Sequence, residues 1–144
     1  MSISALDRIK KIFGNAELPD EEREELTREA LLMTLARGAI ADTNVGQREV
    51  AVAQEVYKKI TGQDLEASHF HYVAGSEMFE RGTTHGYLSK VQAFLHPDDK
   101  LKIINGLADL LRADRRVTSQ EVAFFNDTVR ALDLSAADVA GLRE

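Results

Sequence analysis

Ala41-Asp42-Thr43-Asn44-Val45-Gly46-Gln47-Arg48-Glu49-Val50-Ala51 and Ala113-Asp114-Arg115-Arg116-Val117-Thr118-Ser119-Gln120-Glu121-Val122-Ala123 lie 72 residues apart in one chain. In each stretch an apolar, helix-spaced run ends at Ala-Asp. Val then follows three residues after the Asp and Glu seven after it, where a second amphipathic run begins. The correspondence continues through Ile60 and Leu132 into Asp64-Leu65 and Asp133-Leu134, with a short insertion in the first copy. A repeated helix–acidic turn–helix of this length reads as a duplicated hairpin packing about a pseudo-twofold axis. Repeat one covers about residues 26–65 and repeat two about 98–142.

Outward from these stretches the apolar spacing is helical nearly everywhere. Ile3, Leu6, Ile9, Ile12 and Phe13 form a first stripe, so residues 1–14 read as an N-terminal amphipathic helix stopped by Gly14. Leu18-Pro19-Asp20-Glu21-Glu22 is a helix start, with proline in the first turn and carboxylates on the positive end of the dipole. That helix runs to about Ala41, its front charged and its back apolar, and Gly38 near its end predicts a close helix crossing. The next covers Gln47–Ile60, with Val50, Ala53, Val56, Tyr57 and Ile60 inward, and Gly62 ends it. Asp64 reads as the cap of a helix reaching Glu80, and Tyr87–Leu95 as one further stripe after the break at Gly82. Pro97-Asp98-Asp99 opens a helix to Ala113, with Leu101, Ile104, Leu107, Ala108 and Leu111 inward. Ser119–Leu132 follows, and a short terminal helix opens at Ser135. No alternating strand pattern of useful length is present. The predicted fold is all-α, seven or eight helices in one domain over residues 1–144.

Composition narrows the function. The 144 residues carry 18 Lys and Arg against 24 Asp and Glu, a net charge of −6, which argues against a nucleic-acid partner because phosphate neutralisation needs surplus cations. No cysteine is present, so disulfides, thiolate zinc sites and a thiol nucleophile are excluded. No apolar run approaches membrane-spanning length, and no secretory signal is evident at the start, so a cytoplasmic location is expected. No Walker loop, Gly-x-Ser-x-Gly elbow or His-Glu-x-x-His motif occurs.

The pattern Ala-Asp-x-x-Val-x-x-x-Glu between two helices, occurring twice, resembles the TerB-like family, named for a tellurite-resistance protein. The likeness covers roughly Leu26 to Leu142, with Thr43 and Arg115 where family members usually carry Gly after the Asp. It implies a compact helical domain with an acidic cluster, a role in stress or tellurite response, and divalent-cation binding. The family's acidic positions fall on Asp42, Glu49, Asp114 and Glu121.

The residues themselves offer two readings of those turns. As a cation site, Asp42, Asn44 and Glu49 with a turn carbonyl present hard oxygen ligands suited to Ca²⁺ or Mg²⁺. Spacing excludes an EF-hand, because Ala53 and Phe125 occupy the places of its bidentate glutamate. In the second copy Arg115 and Arg116 oppose a cation beside Asp114. As helix starts, Thr118-Ser119-Gln120-Glu121 spells a capping box, and Gly46-Gln47-Arg48-Glu49 the version lacking the hydroxyl. The capping reading leads for Glu49 and Glu121, and Asp42 with Asn44 remains open to a cation.

Other candidates are thinner. His69 and His71 sit two apart on one helix and face different ways, and Glu66-Ala67-Ser68-His69 lacks the second Glu-x-x-His unit a di-iron bundle needs. His85 and His96 stand at helix starts, where a capping or surface role suffices. His96-Pro97-Asp98 spells the tripeptide by which J-domain co-chaperones touch an Hsp70, but only Lys90 precedes it in Tyr87–Leu95, and the same letters are a helix start. Ile3–Phe13, with Arg8, Lys10 and Lys11, is a candidate peripheral membrane contact or a segment that docks on the domain. The expectation is a binding or scaffold protein with a protein partner, of the kind found in a membrane-associated stress complex. The alternatives are a metal-dependent hydrolase at the acidic cluster or a co-chaperone.

Overall fold

The helix α1 (Asp20–Ala39) is buried over most of its circumference along its second half, which decides where the rest of the chain goes. Ala30, Leu31, Leu32, Thr34, Leu35, Ala36, Gly38 and Ala39 are all buried. At 100° per residue these positions cover about two thirds of the circumference, and the remaining side carries the exposed Arg37. Its first turn is different. Asp20, Glu21 and Glu22 stand at the positive end of the dipole, and the Pro19 carbonyl accepts from the Arg23 amide at 3.0 Å.

A computed structural model describes residues 18–39, 47–79, 84–113 and 118–135 of the chain. Around α1 it places α2 (Gln47–Thr61), α3 (Ala67–Phe79), α4 (Thr84–Val91) and α5 (Pro97–Arg112), all of which pack on α1. A 3₁₀ turn (Gln92–Phe94) follows α4, and α6 (Ser119–Ala131) closes against α4 and α5. The described residues thus hold six α-helices and no strand, as the all-α reading expects. The N-terminal stripe Ile3–Phe13 lies outside the described residues, as does all but the first residue of the helix expected from Ser135.

The most extensive pairing is α1 with α5, and two glycines let their backbones approach. A Cβ at Gly38 would come within 2.9 Å of Leu107 Cδ1. A Cβ at Gly106 would meet Leu31 Cδ1 at 2.6 Å and Ile60 Cδ1 at 2.9 Å. Real side chains do not approach so closely, so a side chain at either site must displace the leucines and the isoleucine that fill the crossing. The close crossing read from Gly38 is present, and Gly106 is its counterpart on α5.

Local chemistry sets most boundaries. Gly62 takes φ 76° and its amide donates to Lys58 O at 2.8 Å, so α2 ends there. The Asp64 expectation needs correcting: its carboxylate pairs with Lys58 at 2.9 Å, and α3 starts later, with Phe70 N donating to Glu66 O at 3.0 Å. Gln54 Nε2 donates to Leu65 O at 2.9 Å, holding that linker extended against α2 with Leu65 buried. The stripe Tyr87–Leu95 is likewise not one helix. It tightens into the 3₁₀ turn, and Leu95 N donates to Gln92 O at 3.2 Å. In α5 the inward face is wider than expected, since Ile103, Gly106 and Leu110 are buried too, while Leu101 is only half-buried.

The two halves use their second helices differently. The offset of 72 residues carries Val50 onto Val122, yet Val50 is 5% exposed and Val122 47%. On α2 the buried set is Val50, Ala53, Val56 and Tyr57; on α6 it is Glu121, Phe124 and Thr128. Through Glu121 and Phe124, the inward face of α6 sits one residue earlier than that of α2, about 100° around the helix.

The crossing makes a direct prediction. Gly106→Val is expected to lower stability by about 2 kcal/mol or more, because a β-branched side chain must displace Leu31 and Ile60. Urea denaturation beside an Asn105→Val control, on the exposed neighbouring position, checks it. Equal midpoints for the two variants would show that the helices do not meet there.

Candidate functional site

The residues on either side of the two acidic turns come together. Arg48, in the first turn of α2, donates from Nη2 to Ala113 O, the carbonyl just past α5, at 3.3 Å. A second tie joins the same helices, Lys59 Nζ to Asp109 Oδ2 at 2.6 Å. The entry to the second turn is therefore held against the exit of the first. Asp42, Asn44 and Asp114 themselves, with Val45 and Val117, lie outside the described residues. Glu49 is half-buried at the start of α2, and Glu121 is 5% exposed at the start of α6. Among the described residues no three His, Asp or Glu side chains gather as a metal-holding group.

Glu121 has a defined task. Its Oε1 accepts from Thr118 N at 2.9 Å, and Thr118 Oγ1 accepts from Glu121 N at 3.1 Å. This is the reciprocal capping box read from the sequence, and it explains how a carboxylate tolerates burial. The anion sits at the positive end of α6 with an amide aimed at it. A similar arrangement opens α5, where Asp99 Oδ2 accepts from His96 N at 3.0 Å and from Arg23 Nε at 2.9 Å. Arg23 also reaches Asp20 at 2.8 Å, so one guanidinium joins the starts of α1 and α5. The Asp20 hydrogen bond and the two carboxylates hold the Arg23 guanidinium above its ordinary value, against the opposing effect of burial. His96-Pro97-Asp98 is thus the first turn of a helix, with His96 and Asp98 exposed and Asp99 turned inward.

The histidines divide sharply. His69 and His71 are exposed on either side of the buried Phe70. His85 is not the surface group its helix-start position suggests. It is half-buried, its ring tilted against Phe124 with centroids 5.0 Å apart, and its Nε2 is 3.1 Å from Thr128 Oγ1. The Arg37 guanidinium stands 5.9 Å from the centroid of that same Phe124 ring. Burial pushes the His85 imidazole below its ordinary value and Arg37 adds to the fall, while Asp127 and the Phe124 backbone oppose it. Burial likewise raises the Tyr57 phenol, against the pull of nearby Arg28. Sequence reading missed His85 and Arg48. The legible signal for His85 was Thr128, a hydroxyl on an otherwise apolar stripe between Phe124 and Leu132; nothing local marks Arg48.

The family model for "Tellurite resistance protein TerB" matches residues 28–144, which takes in every described helix from the third turn of α1 onward. No curated protein and no solved structure matches the chain.

The cap at α6 can be separated from any ligand role of Glu121 by substitution. Thr118→Ala is expected to cost about 1 kcal/mol. Glu121→Gln, which keeps an oxygen for the Thr118 amide, is expected to cost clearly less than Glu121→Ala. Thermal or urea unfolding of the three proteins reads this order, and a Gln variant as unstable as the Ala variant would show that the cap depends on the charge.

Proposed function

The chain belongs to the family of tellurite resistance protein TerB, and from that premise we propose that it acts by binding rather than catalysis, as a scaffold in stress or tellurite response. Its working surface is the end of the molecule where the two acidic turns are anchored. One observation carries this reading: Arg48 reaches Ala113, so the flanks of turns that are 72 residues apart in sequence share one place in the fold.

The proposed ligand set is Asp42, Asn44, Glu49, Asp114 and Glu121. Four carboxylates and an amide oxygen, without sulfur or imidazole, suit a hard cation such as Ca²⁺ or Mg²⁺. Bound there, the ion would supply positive charge between turns that otherwise repel. Glu121 already gives one oxygen to the cap of α6, so more of the coordination falls on the other four. Arg48 holds the two flanks at a fixed separation and offsets part of the acidic charge. The duplicated hairpin with its pseudo-twofold relation belongs to the same proposal, and the packing of α1 on α5, the first helix of each copy, supports it.

The partner we propose is a protein recruited to this acidic surface in the cytoplasm, in a membrane-associated complex. No described helix is long and apolar enough to cross a membrane. Peripheral contact with the bilayer, if made, falls to Ile3–Phe13.

Calorimetry with Ca²⁺, Mg²⁺, Mn²⁺ and Zn²⁺ tests the cation. Wild type is expected to bind Ca²⁺ or Mg²⁺, Asp42→Ala to lose most of that binding, and Arg48→Ala to weaken it. Absence of heat in the wild type removes the cation from the proposal. Capture of native partners with wild type and Asp42→Ala tests the surface, since a partner retained equally by both places the binding surface elsewhere.

A further inference from the structure

We propose that His85 is an acid-sensitive latch between α4 and α6, closed while its imidazole is neutral and released when it takes up a proton. The argument begins with the Thr128 hydroxyl. Its single proton goes to Phe124 O, at 2.7 Å, so what it turns toward His85 is a lone pair. His85 Nε2, 3.1 Å away, must then carry the hydrogen. On that assignment the neutral ring is the Nε2–H tautomer, and a relay runs from α4 through Thr128 to the backbone of α6. The face of the ring rests on Phe124, which also lies 3.7 Å from where a Cβ at Gly38 would stand. His85 thus gathers the start of α4, the C-terminal end of α1 and the second turn of α6 around one phenylalanine.

A proton can enter only at Nδ1, and it makes the ring a cation in a half-buried place. The charges that act on it come from both helices packed against α4. Arg37 of α1 repels it, and Asp127 of α6 attracts it. Asp127 is already paired with Arg130 at 2.8 Å, which blunts its help. The Phe124 backbone also favours the protonated ring, and burial outweighs both; Tyr87, donating to Glu29 at 2.5 Å, ties α4 to α1 without involving the imidazole. The sign follows. The latched ring binds a proton less readily than a released one, so the latch is whole at and above neutral pH. Proton uptake favours release as the pH falls through the ordinary histidine range.

Release would free α4 from α6 and loosen Phe124 against Arg37 and Gly38, at the end of the helix leading into the first acidic turn. That consequence for binding rests on the reading of the turns as the working surface; the latch itself does not. Its test is therefore run without added cation, in chelator. Amide exchange of Thr84–Val91, corrected for the intrinsic effect of pH and referenced to α2, is measured at about pH 7.5 and about pH 5, either side of the ordinary histidine value. The wild type is expected to exchange severalfold faster at the lower pH, because proton uptake favours the released ring. His85→Gln, whose amide can still donate to Thr128 but does not titrate, is expected to lose that step. Thr128→Val, which removes the acceptor, is expected to exchange fast at both values. Nitrogen-15 spectra of the His85 ring decide the matter independently of any variant's folding. An Nε2–H tautomer at neutral pH supports the latch, and an Nδ1–H tautomer overturns it. A pH step that survives in His85→Gln, or no step in wild type, overturns it as well.

Discussion

The close crossing of α1 and α5 is the constraint on which the rest of this structure depends. Leu31, Leu35, Ile103, Ile104 and Leu107 are fully buried along these two helices, and each such side chain removed from water contributes about 1.5–3 kcal/mol. That burial needs the backbones close together, hence glycine at positions 38 and 106. Each glycine costs a helix about 1 kcal/mol relative to alanine, a loss offset by the dispersion contacts that Leu31, Ile60 and Leu107 make in the space a side chain would have taken. With α5 on one side, α1 packs α2, α3 and α4 around the rest of its buried surface. The helices form a shell around one apolar rod.

A rod of this kind must dispose of its polar atoms internally, and the threonines show how. Thr27 donates to Arg23 O, Thr34 to Ala30 O and Thr128 to Phe124 O, each at 2.7–2.8 Å and each to the carbonyl four residues back. Among the described residues no buried side-chain nitrogen or oxygen lacks a hydrogen-bond partner. Threonine therefore sits in this core as a β-branched filler whose hydroxyl is already spent. Of these three, Thr128 also meets a ring nitrogen, His85 Nε2, at 3.1 Å.

Much of this was legible before any coordinates, for physical reasons that also mark the boundary. Helix-spaced apolar residues gave the all-α class, and the inward face of α2 matched Val50, Ala53, Val56 and Tyr57 because amphipathicity is written locally. The end at Gly62, the cap at Thr118–Glu121 and the crossing at Gly38 are equally local. What failed needed knowledge of a neighbour. Asp64 looks like a cap, but Lys58 across the turn takes its carboxylate and Gln54 takes Leu65 O, so α3 starts later. For α6 the sequence reading assigned no inward face; its packing against α4 and α5 leaves Val122 47% exposed although Val50 is buried. Of the candidate site, the sequence brought the two turns into one argument, while the contact that joins their flanks, Arg48 to Ala113, has no sequence signature. A guanidinium can reach in any direction, and periodicity does not record which carbonyl lies at its end.

The rotation of α6 relative to α2 has a cause that bears on the site. Thr118 supplies the hydroxyl that Gly46 lacks, and the reciprocal bonds of that cap draw Glu121 back toward the start of α6, where it is buried with its charge met by an amide. Turning Glu121 and Phe124 inward puts Phe124 where Arg37, Gly38 and His85 meet, and it carries Val122 outward. In α2 Glu49 is half-buried and Val50 turns inward. At the start of α6 the glutamate is committed to the cap and Phe124 to the bundle. At the start of α2 the glutamate is half-buried, next to the arginine that ties the two flanks together.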